Sequence, residues 1–265
     1  MGHDAAFGRL MRAFERSDAP AVGADGATRP EVGYVARVDR AERALLAVLA
    51  ADVAELLGVP RGVDGTPQWP VREDRAGPAL RLRTGPVERP RDGAVRRLLP
   101  DASRDDEEVA AEFRRLTEDD LRAGKVARLA VLWDLVTTPS TGPDDDALVV
   151  PAGRAQEVVA TLTDVRLVLA ERLDVRTDED ADTLYDVLDD EHDRAVSGAE
   201  DDATADWAGD STTDGTADDE RAVRRYLVSV YGALGLLQES LVELMLEDLR
   251  RGSHRRSGRG GSTSS

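Results

Sequence analysis

Residues 98–129 read LLPDASRDDEEVAAEFRRLTEDDLRAGKVARL, and this stretch combines helix-starting signals with apolar residues at helical spacing. Ser103 precedes Asp106 at capping-box spacing, and an apolar stripe follows at i, i+4 and i+7. Thr117 and Asp120 repeat the capping signal before a longer apolar face that ends ahead of Pro139. The stretch therefore predicts two helices that meet at a corner near Thr117. The residues predicted to be buried are Val109, Phe113 and Leu116 in the first helix and Leu121, Leu129, Leu132, Trp133 and Val136 in the second.

Four further helices are predicted on the same grounds. One follows an N-cap at Asp39 and ends at Gly58, one opens at Pro151, and a brief one follows a cap at Thr177. The last covers residues 219–250, with leucine or valine every three or four positions. Because aromatic residues make up only 4% of the chain, the core must consist mainly of Leu, Val and Ala. The predicted fold class is mainly α, a helical bundle of about five to six helices.

Short segments outside the helices complete the predicted organisation. Apolar residues at 7–14 and 32–38 flank a Gly/Pro/Asp-rich stretch, which predicts a small N-terminal β-hairpin. Proline recurs from Pro60 to Pro90, so a structureless Pro-rich insert is predicted at 60–93. The predicted division is an N-terminal segment 1–38, a first part of the helical core 39–189 containing the insert, a disordered acidic loop 190–218, a C-terminal core helix 219–250 and a flexible basic tail 251–265.

The net charge of −18 is concentrated in one region. Residues 178–220 contain 18 of the Asp and Glu residues and a single basic residue, Arg194, whereas the rest of the chain is nearly neutral. This distribution differs from the uniformly acidic surface of a halophilic protein. With few apolar residues to bury, the region is predicted to be disordered.

Cysteine is absent from all 265 residues, which excludes disulfides, thiolate metal sites and cysteine nucleophiles. No apolar run reaches the roughly 18 residues of a membrane span, and the N-terminus lacks the apolar stretch of a signal peptide. The sequence therefore predicts a cytoplasmic protein without a membrane partner.

Motifs for chemistry are sparse. His3, His192 and His254 are far apart and fall in predicted coil, and Asp144, Asp145 and Asp146 lack the spacing of an EF-hand loop. No phosphate-binding glycine loop and no G-x-S-x-G motif occurs. The sequence therefore predicts no catalytic residue, no metal ligand and no cofactor, and favours a protein that is not an enzyme.

One cationic group is a candidate partner-binding face: Arg114, Arg115, Arg122, Lys125 and Arg128. The last three recur at i, i+3 and i+6 on one face of the second predicted helix, where they could bind nucleic-acid phosphate or an acidic partner. The alternative pairs the group locally with Glu107, Glu108, Glu112 and Asp119 in salt bridges. Lys125 is the only lysine in a chain that otherwise uses arginine for its fixed positive charges.

Four segments carry a resemblance to a known family. They are LLPDA (98–102), EFRRLTEDDLRAGK (112–125), DVRLVLAERL (164–173) and YGALGLLQESL (231–241). In this order they resemble an actinobacterial family, catalogued as a domain of unknown function, that includes an oxidative-stress transcriptional regulator. The resemblance covers about residues 34–57 and 94–249, without the Pro-rich insert and the acidic loop.

This resemblance implies a non-catalytic transcriptional regulator. Such a regulator responds to oxidation through cysteines and acts with an alternative sigma factor, but a chain without cysteine cannot carry the sensing step. We expect protein–protein contacts with a sigma factor or RNA polymerase. Contact with DNA is weakly supported, because the net charge repels phosphate and no helix-turn-helix signature occurs. The alternative is a helical adaptor protein with no nucleic-acid role, and the oligomeric state stays open.

Overall fold

Five helices and two small antiparallel sheets form the part of the chain that the computed structural model describes. That part comprises residues 11–17, 21–22, 28–29, 33–70, 87–103, 105–138, 147–177, 179–180 and 215–259. The helices are α1 (Arg40–Leu56), α2 (Gly93–Leu98), α3 (Glu107–Thr137), α4 (Ala155–Arg172) and α5 (Gly215–Arg259). The strands are β1 (Glu15–Ser17), β2 (Ala21–Val22), β3 (Thr28–Arg29), β4 (Gly33–Arg37) and β5 (Ala147–Pro151). The prediction of a mainly α fold with a small N-terminal strand pair is confirmed.

The larger sheet has the antiparallel order β1-β4-β5, with Tyr34 opposite both Arg16 and Val150. The first strand of the predicted hairpin lies at 15–17 instead of 7–14, and of that earlier segment only residues 11–14 are described. The third strand corrects the prediction that Pro151 opens a helix. Pro151 ends β5, and a 3₁₀ turn (Ala152–Arg154) precedes α4. The segment of β5 is only five residues long, so its sequence pattern cannot be distinguished from the start of the following helix.

Helix α1 begins as predicted. The Asp39 carboxylate accepts from the Glu42 amide at 2.8 Å, and the Glu42 carboxylate accepts from the Asp39 amide at 2.7 Å, which completes a capping box. At the other end, Gly58 has φ +89°, a conformation that glycine adopts without strain. The chain then turns back, and the Val59 amide donates to the Ala54 carbonyl at 2.9 Å.

The segment predicted to be structureless is partly ordered. Pro67 is buried, and the ring of Trp69 meets that of Trp133 edge-on with centroids 6.1 Å apart. Helix α2, which the sequence analysis did not predict, starts after Asp92, whose carboxylate accepts from two backbone amides, and buries Ala94, Val95 and Leu98. Residues 60–70 and 87–92 contain no helix or strand beyond the bridge between Arg61 and Pro67, although parts of them pack against the fold, and residues 71–86 lie outside the described residues.

Residues 107–137 form one helix, so the predicted corner at Thr117 is wrong. The Thr117 hydroxyl donates to the Phe113 carbonyl at 2.9 Å within the helix, as threonine does in helix interiors. The N-cap is Asp106, whose carboxylate accepts from the Val109 amide at 3.0 Å, while Ser103 accepts from the Asp106 amide. A capping motif starts a helix only where the preceding backbone leaves helical geometry. At Thr117 the backbone stays helical, so α3 continues as a single helix about 46 Å long.

Helix α4 packs against both α3 and α5, and α1 packs against α3. Their shared core is mainly aliphatic, and its largest fully buried side chains include Leu46, Leu129, Leu132, Leu162, Leu234, Leu237 and Leu241. Where α5 packs on α4, the Arg166 guanidinium lies over the Tyr231 ring at 4.7 Å.

Helix α5 is longer than predicted at both ends, and the predicted tail is helical as far as Arg259. Residues 260–265 lie outside the described residues. Residues 190–214 of the predicted acidic loop also lie outside them, and residues 215–218 belong to α5. Of the predicted helix after Thr177, only residues 179–180 are described, and they are helical. The Thr177 cap itself is present, because its hydroxyl accepts from the Asp180 amide at 3.1 Å.

Within the described residues, one helical stretch, Ala222–Arg251, is long and apolar enough to cross a membrane, with a mean hydropathy of 1.3. Half of the 18-residue window with this hydropathy is buried inside the fold, as in the core helix of a soluble protein. The fold is compatible with a soluble protein, and the cytoplasmic location stays a prediction.

Candidate functional site on helix α3

The predicted cationic residues lie on or beside the inward side of α3, where polar groups replace apolar ones along the first two thirds of the helix. Arg114, Glu118 and Lys125 are exposed by only 4%, 7% and 9%. We call Arg114, Glu118, Arg122, Lys125 and Arg128 the polar seam. Charged groups at this depth are found only where partners satisfy them.

Arg114 joins α3 to the segment that precedes it. Its guanidinium donates to the Asp101 carboxylate and, at 2.6 Å, to Glu107. The Glu107 and Asp101 carboxylates raise the pKa of Arg114 above its usual value. Asp101 also pairs with Arg89 at 2.9 Å. The contact therefore fixes residues 89–101 against the start of α3.

Arg122 connects α3 to the end of α1. One of its nitrogens donates to the Leu57 carbonyl at 3.2 Å, and another donates to the Glu118 carboxylate at 2.7 Å. The Leu57 carbonyl follows the last residue of α1, where helices leave acceptors unpaired. A cation at this end also interacts favourably with the helix dipole. Arg122 therefore serves as a capping group for α1.

Lys125 makes the deepest contact of the seam. Its ammonium nitrogen lies 2.5 Å from Oδ1 of Asp164 on α4, and Arg128 lies 3.6 Å from the other oxygen of the same carboxylate. Asp164 is also buried. A compact ammonium fits a narrow buried position better than a planar guanidinium does. This geometry gives a physical reason for a lysine at the one position where the chain uses it.

Arg115 pairs with a carboxylate that lies at the surface, since the side chain of Glu112 is 58% exposed. It donates to both oxygens of Glu112 at 2.9 and 2.6 Å. Hydrogen bonding lowers the pKa of Glu112 and raises that of Arg115. All five residues thus have carboxylate partners in the chain, as the salt-bridge alternative proposed. Glu107 and Glu112 were foreseen as partners, whereas Asp101, Glu118 and Asp164 were not.

The opposite side of α3 carries an exposed apolar row, which we call the outer stripe: Val109, Phe113 and Leu116. These side chains are 52%, 44% and 53% exposed, so the prediction that they are buried is wrong. Leu121 was also predicted to be buried and is exposed. The inward direction is taken by the seam, and a stripe at i, i+4 and i+7 points about half a turn away from it.

Acidic residues surround the outer stripe. On helical geometry, Glu112 and Asp119 lie along one edge and Asp120 lies at the C-terminal end of the stripe. Asp105, Asp106 and Glu108 are exposed at its N-terminal end. The surface is therefore an apolar row with a negative border.

Candidate metal ligands do not cluster in the described residues, where no group of three or more His, Asp or Glu side chains could hold an ion. His3, His192 and residues 144–146 lie outside them. His254 lies on the last turns of α5 and is the only histidine among the described residues.

The fold and the surface of α3 define a mainly helical domain with an exposed apolar row and an internal network of ion pairs. Residues 11–245 match the family model described as "Domain of unknown function (DUF2017)". Because the match covers most of the chain, the protein belongs to the DUF2017 family. No curated protein and no solved structure matched the chain significantly.

Proposed function

We propose that the protein is a non-catalytic transcriptional regulator that acts by binding another protein through the outer stripe. The observation that carries the proposal is the exposure of three apolar side chains in a row on the outside of α3. Isolated exposed apolar residues are common, but a contiguous row with a polar border is typical of contact surfaces.

The transcriptional part of the proposal rests on the resemblance to an actinobacterial regulator of the oxidative-stress response. A sigma factor or RNA polymerase is the proposed partner. Oxidation would have to be sensed by another protein, since this chain has no cysteine.

Direct DNA binding is the less favoured route. The five predicted cations already have carboxylate partners, and the chain carries a net charge of −18. A phosphate would have to displace those carboxylates and overcome the repulsion. These observations also favour the second candidate function, a helical adaptor that uses the same stripe without a role at promoters.

Binding of the full chain to purified actinobacterial RNA polymerase and sigma factors tests the proposal. Val109→Glu and Phe113→Glu should weaken binding at least tenfold, because each places a charge in an apolar contact. Val48→Glu is the matched control, since Val48 on α1 is also 52% exposed. Equal loss with the control, or no binding to any component, would contradict the proposal.

A promoter fragment in a salt series separates the candidate routes. If DNA is contacted directly, affinity should fall steeply between about 50 and 200 mM salt. If the chain retains the promoter fragment only when a sigma factor or the polymerase is present, it reaches DNA through a protein contact. That result would support the proposed transcriptional regulator. A partner retained equally after nuclease treatment, and unrelated to transcription, would favour the adaptor.

A further inference from the structure

We infer that the outer stripe receives a basic amphipathic helix from a partner protein, an inference that rests on the proposed function of the stripe as a contact surface. Three features of the described surface carry it: the shape of the row, the sign of its border and the placement of the nearby cations.

The shape of the row suits a helix. Val109, Phe113 and Leu116 span about 10 Å of α3. Beyond Asp120, exposed Ala123 and Ala127 continue in the same direction, for a total of about 27 Å. Large side chains can interdigitate with those of a second helix, and the alanines allow close approach. Helix recognition uses apolar anchors at i, i+3, i+4 and i+7, and the stripe presents the i, i+4 and i+7 positions of this spacing.

The border of the row is negative. Glu112 and Asp120 are exposed beside the stripe, and Asp105, Asp106 and Glu108 are exposed at its start. The cations of the same part of α3 offset only Glu112 on this surface, because Arg114 is buried and Arg115 pairs with Glu112, so the border keeps its negative charge through Asp105, Asp106, Glu108 and Asp120. A partner with Lys or Arg beside its apolar anchors would complement this charge, and an acidic one would be repelled.

The same charges disfavour a second copy of this chain as the occupant. Two copies of α3 packed antiparallel through their stripes would bring Glu112 and Asp120 of one copy near the same acidic residues of the other. Like charges across an interface oppose association. The partner is therefore a different helix with the opposite charge.

Three designed helical peptides of about 18 residues test the inference. The first has leucines at the i, i+3, i+4 and i+7 positions with Lys and Arg beside them, the second replaces those cations by Glu, and the third scrambles the basic sequence. Fluorescence anisotropy against the full chain should show binding of the first peptide at least tenfold tighter than that of the other two. Phe113→Glu should abolish the difference in affinity between the peptides. Asp120→Lys should lower the affinity for the basic peptide several-fold, whereas the control Glu239→Lys on α5 should leave that affinity unchanged.

Three results would overturn the inference. Equal binding of the ordered and scrambled basic peptides would show attraction to acidic residues in general, including those at 178–220. Tighter binding of the acidic peptide would show that the partner helix is not basic. A dimer in analytical ultracentrifugation that Phe113→Glu dissolves would make a second copy the occupant.

Failure of the inference and failure of the proposed function are distinguishable. If RNA polymerase or a sigma factor binds through Phe113 but the basic peptide does not, the contact surface stands and the stated partner chemistry is wrong. If the basic peptide binds through Phe113 and no transcription component does, the chemistry stands and the proposed function is wrong.

Discussion

The two parts of α3 differ on the side that faces the other helices, which is charged in residues 107–125 and apolar in residues 126–137. The later part buries Val126, Leu129, Leu132 and Val136, in the usual manner of a core helix. The earlier part buries Arg114, Glu118 and Lys125 and leaves its large apolar residues outside.

This difference separates two ways of holding a helix in place. Apolar burial is strong but non-directional, so it tolerates small rotations of the helix. Ion pairs are directional, and a buried pair adds little net stability while making the loss of either partner expensive. The polar seam therefore fixes the rotation of the first part of α3, which keeps the outer stripe pointing away from the core.

The largest effect is expected from breaking the deepest pair. Lys125→Met should lower the free energy of unfolding by about 3–5 kcal/mol, because Asp164 would lose the closest of its two cationic partners while remaining buried. Urea denaturation measures this loss. The double variant Lys125→Met with Asp164→Leu should recover most of it, since no carboxylate would then remain unpaired. A single variant as stable as the parent would show that water reaches the pair.

Matched leucines in the two parts of α3 give the next comparison. Leu132→Ala removes a fully buried side chain and should lower the free energy of unfolding by about 2–5 kcal/mol. Leu116→Ala removes an exposed one and should change it by about 0.5 kcal/mol or less. Thermal melts of both variants suffice. Equal destabilisation would mean that another part of the chain covers the stripe.

The sequence predicted those parts of the fold in which local signals decide the structure. The N-cap at Asp39, the end of α3 before Pro139 and the buried leucines of α5 were all visible as local patterns. Helix α2 and strand β5 were missed, since each is only five or six residues long and depends on packing against distant elements.

The candidate site was only half predictable for a related reason. Periodicity showed that Val109, Phe113 and Leu116 share a face, but not whether another element covers it. Spacing indicated that Arg122, Lys125 and Arg128 share one face, and Arg114 joins them because residues 107–137 form a single helix. Their partners Asp101 and Asp164 belong to other segments, so only the tertiary structure could show that the direction is inward.

A neutral buried donor outside α3 provides a reference for the charged seam. The Tyr34 hydroxyl donates to Asp248 on α5 at 2.8 Å, and burial together with this bond raises the pKa of Tyr34 to about 12. Since the folded pKa exceeds the usual value near 10, this stabilisation is complete below pH 10 and lost as the pH rises through 12.

Comparison with Tyr34→Phe isolates that titration. Between pH 10 and pH 12 the parent should lose about 2 kcal/mol more of its free energy of unfolding than the variant does. Urea denaturation at a series of alkaline pH values measures the difference. Parallel curves for the two chains would show that Tyr34 titrates normally and that its bond to Asp248 is not protected from water.

The smallest effects separate two neighbouring arginines of the predicted site. Arg114→Gln should lower the free energy of unfolding by about 1.5–3 kcal/mol, because it removes charged hydrogen bonds from a buried position and leaves Asp101 with fewer donors. Arg115→Gln should leave the melting temperature unchanged within error, since its pair with Glu112 lies at the surface and is screened by salt. Thermal melts in low and high salt measure both. If Arg115→Gln were the more damaging change, the outward direction assigned to Glu112 and to the stripe beside it would be wrong.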